Sequence, residues 1–170
     1  PADLSLVPGC EAVFDLIYNP ARTALMMDAE KRGIVAVGGL SMLVAQAARA
    51  FEHFTGDDYE KGIIEQVVAR ITAEAANLIL VGMPGCGKSS VGKIIADKLG
   101  REFLDSDEEF ERMHGITPAD AINTLGEEKF RKMETETLAL ISKQSGKVIA
   151  TGGGVVTKER NYPLLHQNGV

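Results

Sequence analysis

The sequence predicts an α/β fold built on parallel strands, in two parts that meet near residue 76. Three observations carry this. Leu78-Ile79-Leu80-Val81 is a continuous apolar run, as expected of a strand buried on both faces of a parallel sheet. That run enters the glycine-rich stretch Gly82-Met83-Pro84-Gly85-Cys86-Gly87-Lys88-Ser89, which opens a helical pattern stopped by Gly100. Short apolar runs also alternate with helical patterns on both sides of this point, the alternation from which parallel sheets are built.

In chain order, residues 13–18 read as a strand closed by Asn19-Pro20. Thr23 caps a helix running to Lys31-Arg32, with Gly33 as its stop. Residues 34–37 form a second strand ending in Gly38-Gly39. Ser41 can cap the next helix, through Phe54, with Leu43, Ala47, Ala50 and Phe54 as its packed face. A further helix runs from Tyr59 to about Ala75, with Ile63, Val67, Ala69 and Ile71 turned inward. After the helix over 88–99, residues 102–104 form a strand ending in Asp105-Ser106-Asp107. Helices follow over 107–113, 118–125 and 127–144; Thr117-Pro118 is a capped start with proline at the first position. Residues 147–150 are a third strand, closed by Thr151-Gly152-Gly153-Gly154.

Composition narrows the function. The 170 residues are 45% hydrophobic and 25% charged, with a net charge of −6, so the chain has no bulk attraction for nucleic acid or anionic membrane. Three Tyr, six Phe and no Trp argue against a base-stacking surface. No apolar run approaches the roughly 20 residues of a membrane span. Cys10 and Cys86 lack metal or redox spacing and are expected to be free thiols in a cytoplasmic protein. Without an initial Met, and with Asn168-Gly169-Val170 resembling a turn into a strand, the chain is expected to be part of a longer one.

The glycine stretch fits G-x-x-x-x-G-K-[ST], a phosphate-binding loop. Its glycines let backbone N–H groups wrap a phosphate, and the following helix adds its positive end. Lys88 would reach the β- and γ-phosphates, and the Ser89 hydroxyl could ligate Mg²⁺. Gly85, Cys86, Gly87 and Ser90 complete the nucleotide-facing set. Cys86 reads as a small loop residue, or alternatively as a thiol activated by the helix end. Asp105 and Asp107 stand at the carboxyl end of the next strand, where α/β sheets bind ligands. One could hold Mg²⁺ and the other orient a hydroxyl or take its proton; a helix cap is the plainer reading of Asp107. Gly152, Gly153 and Gly154 would let a ligand approach the backbone closely. Arg131, with Glu134 three residues on, is a solvated helix charge or a fork for a carboxylate. His53, His114 and His166 have no ligand spacing and read as surface or packing residues.

In order and spacing, these pieces resemble the shikimate kinase family across residues 77–170. The likeness rests on residues 80–92, on Leu104-Asp105-Ser106-Asp107, on Gly126-Glu127 with Phe130-Arg131 and Glu134, and on Thr151-Gly152-Gly153-Gly154. It implies an incomplete parallel sheet of the P-loop, nucleoside-monophosphate-kinase-like kind, with ATP and Mg²⁺ as cofactors. Ser89 and Asp105 would then serve the metal. Lys88 and Asp107 would be catalytic, and Asp107, Arg131 and Gly152, Gly153 and Gly154 would bind shikimate. Members of the family also have a mobile lid and further arginines that these 170 residues do not contain, so the chain alone is expected to bind without turning over. The first 56 residues resemble the C-terminal tail of shikimate dehydrogenase, a Rossmann-type NADP domain. The likeness runs through Asp15-Leu16-Ile17-Tyr18-Asn19-Pro20, Thr23-Ala24-Leu25 and residues 39–51. It implies that Tyr18 and Gln46 touch shikimate, and that the Leu16 backbone, Gly39 and Met42 lie by the NADP nicotinamide. The expected arrangement is a dehydrogenase part over 1–76 ahead of a kinase part over 77–170. Its expected partners are small molecules and the rest of its own chain. Two alternatives are another small-metabolite kinase and a non-catalytic nucleotide-binding module.

Overall fold

The computed structural model describes residues 3–60 and 62–170. They form two compact units, one up to Glu74 and one from Ala75.

In the first unit, β1 (Ala12–Phe14) and β2 (Val35–Val37) pair in parallel, Ala12 opposite Val35, and α1 (Ala24–Lys31) crosses between them. Thr23 caps α1 through a bond from the Met26 N–H (3.2 Å). A small core of Leu4, Val13 and Ala29 lies beneath. β1 stops at Phe14, four residues before the end expected from the apolar run. The reason is Asp15, whose carboxylate accepts from the Ile17 N–H (3.0 Å) and the Thr23 hydroxyl (2.5 Å) and draws the chain off the strand path. Leu16, Ile17 and Tyr18 are exposed as a result.

The helix α2 (Gly39–Thr55) is capped by Gly38 rather than Ser41, whose hydroxyl instead donates to the Gly38 carbonyl (3.3 Å). Leu43, Ala47, Ala50 and Phe54, expected as its packed face, are exposed; Val44, Ala45 and Ala48 lie half-buried. The apolar spacing allows both faces, and packing chose the small-residue one. In α3 (Ile63–Ala75), Ile63 and Val67 are half-buried as expected, but Ala69 and Ile71 are exposed, and Ile64 and Val68 take the inner positions. The expected start at Tyr59 is not helical; Lys61, within that stretch, lies outside the described residues.

The second unit is a three-stranded parallel sheet in the order β3 (Leu78–Leu80), β5 (Val148–Ala150), β4 (Phe103–Asp105). Between them run α4 (Lys88–Leu99), α5 (Ser106–His114), α6 (Pro118–Leu125) and α7 (Glu127–Ile141); two 3-10 turns and α8 (Tyr162–His166) follow β5. The strand buried on both faces is the last one. Val148, Ile149 and Ala150 are almost wholly buried, while β3 is half-buried and Val81 exposed. β3 is an edge strand with a single strand neighbour. Its outer edge is partly engaged, since Asn77 bridges Gly169 in parallel and Ile79 donates to Val170 (3.1 Å). Buried Asn77 anchors the start of β3, donating to the Gln144 carbonyl (2.6 Å) and accepting from the Lys147 N–H (2.9 Å).

Register determines where function can sit. Leu80 and Asp105 both pair with Ala150, so the three strands end level and the loops after them emerge at one edge. Two cores hold this frame: Leu104, Leu138, Ile141 and Ile149 under the sheet, and Phe110, Ala121 and Phe130 among the helices. Among the described residues, no helix is long and apolar enough to cross a membrane.

Candidate functional site

The loop after β3 turns through Gly82, Gly85 and Gly87, all at positive φ, where a side chain would be strained. It delivers the N-terminal amides of twelve-residue α4 to the sheet edge. Lys88 folds back over the loop, its Nζ donating to the carbonyls of Gly82 (2.9 Å) and Met83 (2.8 Å). Exposed Cys86 has its Sγ 3.8 Å from that ammonium. Ser89 donates to Asp105 Oδ2 at 2.5 Å, so the two residues expected to serve a metal lie side by side. A hydroxyl on the phosphate-binding loop and a carboxylate at the end of β4 suit Mg²⁺, which takes few protein ligands and keeps water and phosphate oxygens.

Asp105, not Asp107, caps α5. Its Oδ1 accepts from the Asp107 N–H (3.0 Å), which frees the Asp107 carboxylate for other work. Asp107 is exposed as a residue, but its carboxyl points into packed surroundings beside Gly152. Burial first, and the Asp105 charge second, push its pKa above the ordinary carboxylate value, against the pull of Lys88, Ser106 and Arg131. Gly85, Lys88, Ser89, Asp105, Asp107 and Gly153 line one cleft of about 430 Å³.

Arg131 lines a neighbouring cleft with Glu127, Lys158 and Arg160. Its Nη1 donates to both oxygens of Glu134 (3.1 and 3.0 Å), and its buried Nε forms an ion pair with Glu127 at 3.5 Å without a hydrogen bond. Burial works against the Arg131 charge, but Glu134 and then Glu127 outweigh it and raise the pKa. Glu134 is also shifted up, with burial dominant and Asp107 adding to it against Arg131. The two shifts pull the pair in opposite directions. The contact of Nη1 with both Glu134 oxygens supports a charged Arg131, and the Glu134 shift reflects the cost of its burial.

The triple glycine joins the two clefts. None of the three has positive φ; close approach is what excludes a side chain. A Cβ on Gly152 would lie 2.8 Å from Asp107 Oδ1, one on Gly153 would lie 2.5 Å from the Pro84 ring, and one on Gly154 would collide with the Arg131 guanidinium. The space expected for a ligand is thus occupied in part by the side chains expected to bind it. The Gly152 N–H is also engaged, donating to buried Ser106 Oγ (2.7 Å). Pro84, Ser106 and Thr151 also belong to this arrangement, and the sequence signal at Ser106 is a small polar residue between two aspartates at a strand end.

The first unit brings together less. The Gly39 N–H donates to the Ile17 carbonyl (3.0 Å), and a Cβ on Gly39 would strike the Leu16 carbonyl, so Leu16 and Gly39 are in contact. Tyr18, Met42 and Gln46 are exposed. Residues 1–74 contain no G-x-G-x-x-G, and the space at Gly39 is closed by the chain itself. These residues do not by themselves fit a dinucleotide. His114 packs, its Nε2 lying 3.1 Å from Thr137 Oγ1 and its ring on Phe110, while His53 and His166 are exposed, beside Phe54 and Tyr162.

Comparison with known proteins finds two family matches. Residues 84–170 match the shikimate kinase family, and residues 39–68 match the shikimate 5'-dehydrogenase C-terminal domain. Shikimate kinase of Thermodesulfovibrio yellowstonii is 44% identical over 94 residues, covering 55% of this chain and 54% of that protein. The Caldicellulosiruptor bescii enzyme is also 44% identical over 94 residues, covering 55% of each. Among solved structures, shikimate kinase from Acinetobacter baumannii in complex with shikimate aligns with a TM-score of 0.56 at 41% identity, covering 60% of this chain and 57% of that one. The Aquifex aeolicus enzyme aligns at 0.52 and 33% identity, covering 55% of each. The chain spans about half the length of the curated relatives it matches.

Proposed function

This chain belongs to the shikimate kinase family, and we propose that its second unit binds ATP and shikimate for transfer of the γ-phosphoryl group to a shikimate hydroxyl. One observation carries the reading. A single sheet edge sets a phosphate-binding loop, a Ser–Asp pair and a carboxylate of raised pKa around one glycine loop, against which the Arg131 guanidinium lies. Asp107, Arg131 and the triple glycine favour shikimate over a substrate lacking a carboxylate.

In this reading the α4 amides and Lys88 hold the phosphates, and Ser89 with Asp105 would hold Mg²⁺, which supplies neutralisation of the phosphate charge. Asp107 orients the acceptor hydroxyl and takes its proton, and Arg131 grips the carboxylate. Catalysis rests on positioning and charge neutralisation. The match over residues 39–68 supports a bifunctional shikimate-pathway enzyme in aromatic amino acid biosynthesis. Its neighbouring activity would interconvert 3-dehydroshikimate and shikimate with NADP. No step is assigned to the first unit, whose residues do not by themselves fit the cofactor.

The test is a split in affinities. Arg131→Ala and Gly154→Ala, the second by displacing the guanidinium, are expected to weaken shikimate by about 10- to 100-fold, the worth of a charged hydrogen bond. ATP affinity should stay within about twofold, since neither change touches the loop of residues 82–89. Calorimetric titration with each ligand reads this directly, and equal losses for both would sink the assignment of Arg131.

Asp107 gives a second check. A carboxyl whose folded pKa is raised adds stability below its unfolded value, near 3.8, and loses it as pH rises through the folded value. Asp107→Asn should therefore melt above the parent at pH 7, with the difference closing towards about pH 3.5. Shikimate affinity should fall in the same variant. A lower melting point at pH 7 would mean that the carboxylate is not held at a cost.

A further inference from the structure

Beyond the residues that face the two clefts, the second unit holds a buried polar link. Asn161, fully buried at the end of the second 3-10 turn after β5, donates from Nδ2 to the Val155 carbonyl (2.9 Å). This fixes its amide orientation and turns Oδ1 towards Thr135, whose hydroxyl lies at 2.9 Å. The Thr135 hydroxyl has one proton and two acceptors within reach, Asn161 Oδ1 and the Arg131 carbonyl (2.9 Å). The Arg131 carbonyl already receives Arg160 Nη2 (3.0 Å), and Arg160 Nε donates to Thr135 Oγ1 (3.2 Å). The proton therefore serves Asn161, which has no other donor at that oxygen among the recorded bonds.

The position of this link is what gives it meaning. Thr135 stands four residues after Arg131, so the two share a face of α7 one turn apart. Val155 directly follows Gly154, whose α-carbon lies against the Arg131 guanidinium. Asn161 thus joins the two segments that meet at the arginine, one turn from the contact on α7 and one residue from it on the glycine loop. Neither Asn161 nor Thr135 lines either cleft as described above. A buried amide with both ends satisfied holds one geometry, because any shift leaves a polar atom unpaired.

We propose that Asn161 and Thr135 are positioning residues: their bond locks the glycine loop to α7 and so sets where the Arg131 guanidinium meets its substrate. The lock acts on the arginine side of the site alone. The loop of residues 82–89 reaches the triple glycine through Pro84 and Gly153, which the link does not touch.

The experiment uses the 170-residue chain with two variants of one residue. Thr135→Val removes the hydroxyl at constant shape, and Thr135→Ser keeps it. The first readout needs no ligand: the Arg131 Nε–H resonance and its exchange rate in the free protein. The second is calorimetric binding of shikimate and of ATP, and it rests on the functional reading above. In Thr135→Val, the Arg131 resonance should move and exchange at least about fivefold faster, as water reaches the buried Nε once the loop and α7 can separate. Shikimate should weaken about tenfold and ATP by less than twofold, while Thr135→Ser stays with the parent on every measure. An unchanged Arg131 resonance in Thr135→Val overturns the proposal, as does an equal loss of both ligands or a failure of serine to rescue. Should the parent chain bind no shikimate, the functional reading falls, and the Arg131 resonance still decides the lock. Asn161→Leu, which empties both ends of the link, should repeat the Thr135→Val pattern wherever it folds.

Discussion

Lys88→Ala is expected to lower phosphotransfer to shikimate by about 10²- to 10³-fold or more, the usual loss when a preorganised charge at the reacting phosphate is removed. The residue holds two positions in one side chain. Its ammonium spans the Gly82 and Met83 carbonyls, keeping the loop wound, and it is the cation nearest the bound phosphates in the proposed reading. Alanine therefore loosens the loop and leaves the phosphate charge uncompensated. Arginine should not rescue, because a planar fork cannot cap two adjacent carbonyls as a rotatable ammonium does. Shikimate affinity should be nearly unchanged, since Arg131 and its glycine contact lie outside the loop. A coupled ADP-release assay with shikimate, run on a chain extended through the lid segment that the family carries and beside shikimate calorimetry on the same preparations, separates the two effects. Turnover within about fivefold of the parent would remove Lys88 from the chemistry.

Gly39→Ala is expected to unfold the first unit and leave the second working. The methyl would collide with the Leu16 carbonyl oxygen and lie 2.5 Å from its carbon, and both are backbone atoms that cannot swing aside. Overpacking of this kind costs about 1–3 kcal/mol and more where the neighbour is rigid. The unit has little to spare, with Leu4, Val13 and Ala29 as its buried apolar core. Hydrogen exchange should show lost protection at Val13 and Ala29 and retained protection at Ile149. Nucleotide binding by the loop of residues 82–89 should survive. Cooperative loss of both units would show that they do not fold independently. Gly154→Ala makes the opposite case, because the atoms in its way are the tip of a flexible arginine; its cost falls on substrate binding and leaves the fold intact.

Several features were legible in the residues alone because their causes are local. The loop of residues 82–89 and the helix it opens, Lys88–Leu99 with Gly100 at positive φ, follow from glycine geometry and a helical apolar period. Thr23 and Thr117 cap where their hydroxyls predict, and Pro118 begins α6. The pairing of Ser89 with Asp105 follows from two motifs at the ends of parallel strands. Other features depend on partners distant in sequence. An apolar run reads the same in an edge strand and a central one, so only the strand order shows that β5, and not β3, is buried on both faces. Spacing alone could not choose between the faces of α2 and α3.

The residues alone determine that this chain winds a phosphate-binding loop onto a parallel sheet, because glycines, caps and a lysine at fixed spacing act on the few residues beside them, and four motifs in register carry its likeness to the shikimate kinases. The tertiary structure decided the rest of the site. Asp105 takes the cap and leaves Asp107 free, Gly152, Gly153 and Gly154 are bare because Asp107, Pro84 and Arg131 fill the space where side chains would be, and Asn161 ties the loop to α7. The cap is a choice between two nearby carboxylates, and the glycine contacts and the Asn161–Thr135 bond join segments distant in sequence; only the packed fold brings such groups within a few ångströms of one another.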